Sequence, residues 1–351
     1  MKNYAFILAG GRGERLWPLS RLAKPKQLIK IFSNKTLIEE TIERLKNFIP
    51  EENIFIVCNS YFAELIHKNL PSTKYMNFII EPEPRNSAPA IFLAAAFLEK
   101  IAPDGNMIIL PSDHYISPTD KFQNTLKEAV SLANKNNSLV TIGIKPSYPE
   151  TGYGYIIVKD NFEVERFTEK PDINTANEYI KQGNAYWNSG IFIWNVRTIK
   201  NALKKIHPDE FQVYEEIKKL DIEKITTGDT GELFSKFVAT SIDYSIMEKA
   251  ENVNCIPAQF IWNDVGSWAS LEKVVTPDKD NNVLIGDKII SIESNNNIIY
   301  DRDNLICTIG VNDLIIVSID DITLVADKKQ AQKVKDILKK IKENKDLKHY
   351  L

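Results

Sequence analysis

The chain has 351 residues, 43% of them hydrophobic and 26% charged, and a formal net charge of -3. This is ordinary for a soluble protein with one large domain and a lesser one, and it offers no overall attraction to nucleic acid or to an anionic membrane. No apolar stretch approaches the ~20 residues needed to cross a bilayer, and the run before Gly10 is too short for a signal-peptide core.

Short β-branched runs at residues 4–8, 54–58, 77–80, 107–110 and 139–144 alternate with helical periods at 36–48, 62–70, 88–101 and 122–133. That order predicts an α/β fold: a mostly parallel, Rossmann-like sheet with helices on both faces, binding its ligand at the strands' carboxyl ends. Gly10, Glu81 and Asp113 all follow strands. Residues 152–193 read as a β-rich insertion folded over one end of the sheet. Helices return at 196–206, 211–219 and 233–236. Beyond them, short strands at 283–285, 289–292, 297–300, 305–309, 314–318 and 323–325 suggest a β-solenoid or small β-sandwich, although no clean hexapeptide repeat is visible. A terminal helix over 328–345 places Val334, Leu338 and Ile341 on one face and lysines on a solvated face. The expected domains are 1–275 and 276–351. Cys58, Cys255 and Cys307 form no CxxC pair and read as buried inert thiols, so a reducing, cytoplasmic setting is expected.

The first strand runs into Gly10-Gly11-Arg12-Gly13-Glu14-Arg15. Glycines permit positive φ and let main-chain N–H groups approach a phosphate. A dinucleotide loop fails here, because Leu16 stands where a third glycine is needed and the second strand ends Val57-Cys58-Asn59. The GxxxxGK[ST] pattern is absent as well. What remains is a loop whose Arg15 presents a fixed cation, with Lys26 following Pro25 as a second point of a polyphosphate clamp. A tight turn with surface cations is the bland alternative. Asp113 suits Mg²⁺ bridging phosphate oxygens, but Ser112 or Asp113 could equally cap a helix. Ser87 and Pro89 similarly suit a helix N-terminus.

Together the motifs LAGGRGERLWPLSR, KPKQL, EPEPRNSAPAI, LPSDHYI, TGYGYI, FTEKPD, WNSGIFIW and DVGSW closely resemble the sugar nucleotidyltransferases, and among them the bacterial mannose-1-phosphate guanylyltransferases. The likeness covers nearly the whole chain and implies the nucleotidyltransferase fold with a short left-handed β-helix after it. It implies that Arg15, Lys26, Asp113 and Asp264 are catalytic, with Asp113 and Asp264 holding Mg²⁺. Leu8, Ala9, Gly10, Gly11, Arg12 and Gly13 would bind the nucleotide's phosphates. Glu81, Arg85, Asn86, Ser87 and Ala88 would recognise guanine, whose edge pairs a carbonyl acceptor with N–H donors. The family usually has Thr where Ser87 stands. Tyr153, Gly154, Glu169, Lys170 and Asn188 would hold the sugar phosphate, while Trp187 and Trp194 pack in the core.

The implied reaction joins GTP and alpha-D-mannose 1-phosphate into GDP-mannose and pyrophosphate. The alternatives are another pair, such as glucose 1-phosphate with dTTP or UTP, and a non-catalytic regulatory subunit that binds nucleotide sugars. Some relatives carry a fused phosphomannose isomerase domain; the chain ends too early for one, so no isomerase activity is expected. A homodimer is the expected assembly.

Overall fold

The first strand, β1 (Asn3–Leu8), buries Ala5, Phe6 and Ile7 completely, as the central strand of a sheet covered on both faces must. The structure, a computed structural model, describes residues 1–11, 13–70 and 76–351. Contacts gather the chain into two units, one comprising Met1–Gly10, Ile42–Ser112 and Ser117–Trp262. The other comprises Gly11–Thr41, Asp113–Ile116 and Asn263–Leu351.

In the first unit β1 lies between β2 (Ile54–Asn59) and β4 (Asn106–Pro111), and β3 (Asn77–Glu81) follows β2. All of these pair in parallel. Leu8 and Pro111 are register partners, and the Ser112 N–H donates to the Leu8 carbonyl at 3.2 Å. The chain therefore leaves β1 and β4 side by side, at a switch point in strand order where α/β sheets take ligands. A three-residue strand, β5 (Tyr115–Ser117), comes next, so no helix begins at Ser112 or Asp113 and the capping alternative fails. The helix Ser87–Ile101 is buried from Ala88 to Leu98 and is apolar all round, as a core helix is.

The stretch expected to fold over one end of the sheet does something different. β6 (Leu139–Ile144) pairs with β9 (Ala185–Asn195), and β9 also pairs antiparallel with β4, in the middle of the sheet. Only β7 (Tyr155–Val158) and β8 (Val164–Thr168) lie off the main path. Asn188 and Gly190 are residue types that usually interrupt strands, yet they are interior residues of β9. A helix over Ile173–Gln182, capped by Asp172 and ended by Gly183 at φ 79°, was not expected. Nor was β10 (Val253–Pro257), which adds a parallel edge beside β6. The short β11 (Ile261–Asn263) follows it.

The second unit builds a β-helix-like stack. β12 (Val283–Ile285), β14 (Ile298–Asp301) and β16 (Leu314–Ile319) pair in parallel, and β17 (Ile322–Asp327) returns antiparallel to β16. On a second face β13 (Ile289–Ile292) pairs in parallel with β15 (Ile306–Ile309). Asparagines stack at the corners: Asn297 donates to Asn282 at 3.0 Å, 15 residues apart, and Asn295 donates from its main chain to Asn312 at 2.9 Å, 17 apart. The closing helix, Val334–Glu343, buries Val334, Leu338 and Ile341 in a core shared with Leu16, Trp17 and Trp268. Cys307 is exposed, not buried, because it points outward from β15. Among the described residues no helix is long and apolar enough to cross a membrane.

Candidate active site

The second unit brings together the four residues marked as catalytic. Gly13 takes φ 67°, in the left-handed region, and caps a short 3₁₀ turn, Glu14–Leu16. A side chain at Gly13 would run into the Cβ of Lys26, so this glycine is needed for packing as well as conformation. Among the described residues a Cβ at Gly10 would meet nothing within 4 Å, and one at Gly11 only the Gln27 amide at 3.8 Å. The described residues do not fill the room those two glycines leave. Arg12 lies outside the described residues.

Leu16 is buried beside Trp17, which anchors the turn and carries Arg15 to the rim of a cleft of about 540 Å³. The Nε of Arg15 is enclosed and, among the described residues, has no hydrogen-bond partner. A buried donor left unmet costs about 1–3 kcal/mol, which an incoming phosphate oxygen would recover. Lys26 is only 7% exposed, and its Nζ lies 2.8 Å from Asp113 Oδ2 and 2.5 Å from the Asp264 carbonyl. Burial opposes ionisation of Asp113, but the Lys26 charge, aided by His114, holds its carboxyl below the ordinary carboxylate value.

Asp264 sits in a strained turn. Val265 has φ 48°, costly for a β-branched residue, and its N–H is held by Asn263 Oδ1 at 2.7 Å. The Gly266 N–H donates to Asp264 Oδ1 at 3.1 Å, and a Cβ at Gly266 would stand 2.6 Å from Asp264 Oδ2. The strain thus fixes the aspartate's carboxylate. Asp113 and Asp264 line the same cleft as Arg15 and Lys26. Two carboxylates beside a glycine-rich loop and two cations are a donor set that Mg²⁺ takes when phosphates complete its shell, so these residues fit that ion. Lys335, from the closing helix, also lines the cleft, whereas its lysines were expected only to face solvent.

The first unit holds the other expected groups. Main-chain atoms at the end of β1 are engaged: the Leu8 carbonyl with Ser112, and the Ala9 N–H with Val57. Glu81 ends β3, where burial pushes its carboxyl up to about 7. Arg85 is spent on Glu83 and the Phe237 carbonyl, and the Ala88 N–H on the Thr240 carbonyl. Asn86, at φ 69°, accepts from the Ser87 N–H, while Ser87 Oγ accepts from the Ile242 N–H at 2.9 Å. Ser87 is the first residue of its helix, but its hydroxyl does not cap it.

Around Asn188 the expected sugar residues do meet. Asn188 N–H donates to the Gly154 carbonyl at 2.8 Å, and any side chain at Gly154 would strike Glu169 Oε2. Glu169 pairs with Lys170. Tyr153 packs edge-on against Trp187 and Trp262, with centroids 5.4 and 5.3 Å away. Trp194 is wholly buried and Trp187 nearly so.

The nucleotidyl transferase family model matches residues 4–281, and the MannoseP isomerase/GMP-like beta-helix domain matches 287–341. A mannose-1-phosphate guanylyltransferase of Escherichia coli is 37% identical over 95% of this chain and 74% of its own length. The chain belongs to the mannose-1-phosphate guanylyltransferase family of nucleotidyl transferases. Mannose-1-phosphate guanylyltransferase RfbM of Salmonella typhimurium is 39% identical over 96% of the chain and 72% of its own length. A crystal structure from Thermus thermophilus, described as a mannose-1-phosphate geranyltransferase, superposes with a TM-score of 0.89 at 31% identity, over 97% of this chain and 100% of that one. Nucleotidyltransferases of this kind generally use a divalent metal.

Asp243 meets Asn188 without having been expected. Its Oδ1 accepts from Asn188 Nδ2 at 2.8 Å, and burial, then the charge of Glu169, push its carboxyl up to about 6. Its trace in the sequence is a carboxylate directly after Ile242 and shortly before Ile246 and Met247.

Proposed function

We propose that the chain transfers GMP from GTP to alpha-D-mannose 1-phosphate, giving GDP-mannose and pyrophosphate. A phosphate oxygen of the sugar phosphate attacks the α-phosphorus of GTP in line, a new P–O bond forms, and the bond to the β-phosphate's bridging oxygen breaks. The nucleophile is already an anion, so no general base is required; repulsion between anions is the obstacle. The observation that carries this reading is buried Lys26, joined to Asp113 and Asp264 in a cleft with Arg15 and its unmet Nε. Arg15 and Lys26 orient and neutralise the phosphates. Mg²⁺ held by Asp113 and Asp264 would add positive charge on the phosphate oxygens. The room at Gly10 and Gly11 suits close approach of the triphosphate. Glu81 and the Arg85–Ala88 turn meet guanine; Glu169 and Asn188 meet sugar hydroxyls, with Tyr153 and Gly154 shaping their surroundings, and Lys170 meets the sugar's phosphate. The choice of guanine and mannose is supported by the relatives.

The test crosses several nucleoside triphosphates with several sugar 1-phosphates in a pyrophosphate-release assay, with and without Mg²⁺. Release with GTP and mannose 1-phosphate is expected, and its absence overturns the substrate assignment.

A homodimer is part of the same proposal. Ile290 pairs in register with Cys307 and Ile292 with Ile309, and all four side chains, with Leu305, are exposed on one face. A contiguous apolar face of this kind suits a second copy. The three free thiols suit a reducing cytoplasm.

A further inference from the structure

In the first unit the base turn and the sugar residues both lean on one segment, residues 237–248. On the base side, Arg85 Nη1 donates to the Phe237 carbonyl at 2.8 Å and the Ala88 N–H to the Thr240 carbonyl at 3.1 Å. The Ile242 N–H donates to Ser87 Oγ at 2.9 Å. On the sugar side, Asp243 Oδ1 accepts from Asn188 Nδ2 at 2.8 Å, and Glu248 Oε1 accepts from the Glu169 N–H at 3.0 Å. Ile242 and Asp243 are consecutive residues facing the two groups. The link between them is a π-helical turn, Asp243–Met247, in which Ser245, Ile246 and Met247 are buried. A π-turn in a short segment recurs at functional sites, because it re-aims side chains that a regular turn would misplace.

The contacts also settle what Asn188 can offer a ligand. The Gly190 N–H, which can only donate, meets Oδ1 at 3.2 Å, and Thr141 Oγ1 lies 3.1 Å from the same oxygen. An ionised Asp243 can only accept, so the nitrogen must face it. Gly190 then takes one lone pair of Oδ1, the other faces a hydroxyl whose single hydrogen is shared with the Ile191 carbonyl 3.2 Å away, and one of the two Nδ2 hydrogens is taken. What remains free on the nitrogen is a single N–H. Through it Asn188 meets a sugar hydroxyl as a donor.

We propose that Asp243 is a positioning residue that fixes Asn188 as a hydrogen-bond donor to the sugar, and that residues 237–248 couple this setting to the base turn. The inference rests on the reading of Asn188 and Ser87 as ligand contacts. It gives the chain a physical route by which occupation of one subsite tightens the other, since displacing Ile242 displaces its neighbour Asp243.

Initial rates of pyrophosphate release, with GTP and mannose 1-phosphate varied in turn, test it. Wild type is measured first. If that pair does not react, the substrate reading fails by itself, and the same variants are compared with whichever pair does react. Asp243→Ala is expected to raise KM for the sugar phosphate about tenfold or more, as loss of a hydrogen bond to a charged group does, with kcat within about threefold. Asp243→Asn offers a carbonyl to the same N–H and is expected to restore KM to within about threefold of wild type. A residue that merely supported the fold would produce neither the split nor the rescue. Ser87→Ala is expected to raise KM for both substrates, and the effects of Ser87→Ala and Asp243→Ala are expected not to multiply in the double variant. If Asp243→Ala does not fold, Thr141→Val removes the hydroxyl facing Oδ1 at nearly constant shape and is expected to raise KM for the sugar phosphate alone. A sugar-phosphate KM within twofold of wild type in the variant measured, or an equal loss in every parameter without rescue by Asp243→Asn, overturns the positioning role. An effect of Ser87→Ala confined to GTP, with multiplicative effects in the double variant, overturns the coupling.

Discussion

Lys26 and Asp264 meet through the main chain: the buried ammonium donates to the aspartate's carbonyl at 2.5 Å, so the lysine fixes the backbone of Asp264 rather than its carboxylate. The same ammonium pairs with the carboxylate of Asp113 at 2.8 Å. Replacing the Asp264 carboxylate should therefore have a different effect from replacing the lysine. Asp264→Asn keeps an oxygen for the Gly266 N–H and should fold normally while losing about a hundredfold or more in kcat, and Arg15→Ala should behave alike. Lys26→Met should lose activity and also melt several degrees lower, because it leaves the Asp113 charge buried without its partner. Kinetics and thermal melts on the three variants check this; wild-type turnover in Arg15→Ala or Asp264→Asn would sink the proposed phosphate site.

Gly154 is held against Glu169 and Asn188 so closely that a methyl group has no place. Gly154→Ala should push Glu169 aside and raise KM for mannose 1-phosphate by about tenfold, with little change in KM for GTP. An unchanged sugar-phosphate KM would remove Gly154 and Glu169 from the sugar site.

Glu81 has a carboxyl raised by burial from its ordinary value to about 7. An acid raised on folding contributes stability that is complete below its unfolded pKa and is lost as pH rises through the folded value. The free enzyme should therefore lose stability between about pH 5 and pH 8, and Glu81→Gln should flatten that slope. GTP affinity should move the opposite way, weakening as pH falls through about 7, because only the ionised carboxylate can accept from two of guanine's N–H groups at once. Thermal melts and GTP titrations across this range provide the check.

Lys335 lines the cleft from the closing helix. Lys335→Ala should raise KM for GTP by roughly threefold at low salt, with the difference shrinking as salt is added, as expected for an exposed cation. Equal KM values for the variant and wild type at low salt would return this lysine to the solvated face.

The apolar face of β13 and β15 should pair two copies. Ile309→Asp should shift the protein from dimer to monomer in analytical ultracentrifugation without loss of fold, because Ile309 is 70% exposed. A wild-type monomer would end this proposal.

The parallel strands were legible because buried strands are β-branched runs and their spacing leaves room for crossover helices. The helix Val196–Ile206 was legible from its periodicity. β9 was not, since Asn188 and Gly190 in its interior are residue types that usually interrupt strands. The stack in the second unit hid its repeat for a related reason. Its apolar spacing is irregular, and the period lives in asparagines 15 or 17 residues apart. Glycine, arginine, lysine and aspartate in the glycine-rich loop and its neighbours carry their chemistry in the sequence. Asp243 and Lys335 do not, because their meaning depends on which distant residue they face.

Trp17 Nε1 donates to the Tyr350 carbonyl at 2.8 Å, and Lys342 reaches Glu14 at 3.4 Å. The turn that carries Arg15 is therefore synthesised 333 residues before the Tyr350 brace on Trp17. During translation these two braces are missing until residues 342–350 clear the ribosome, and Trp268 holds Trp17 in the meantime. A nascent chain could complete the parallel sheet before the turn gains these braces.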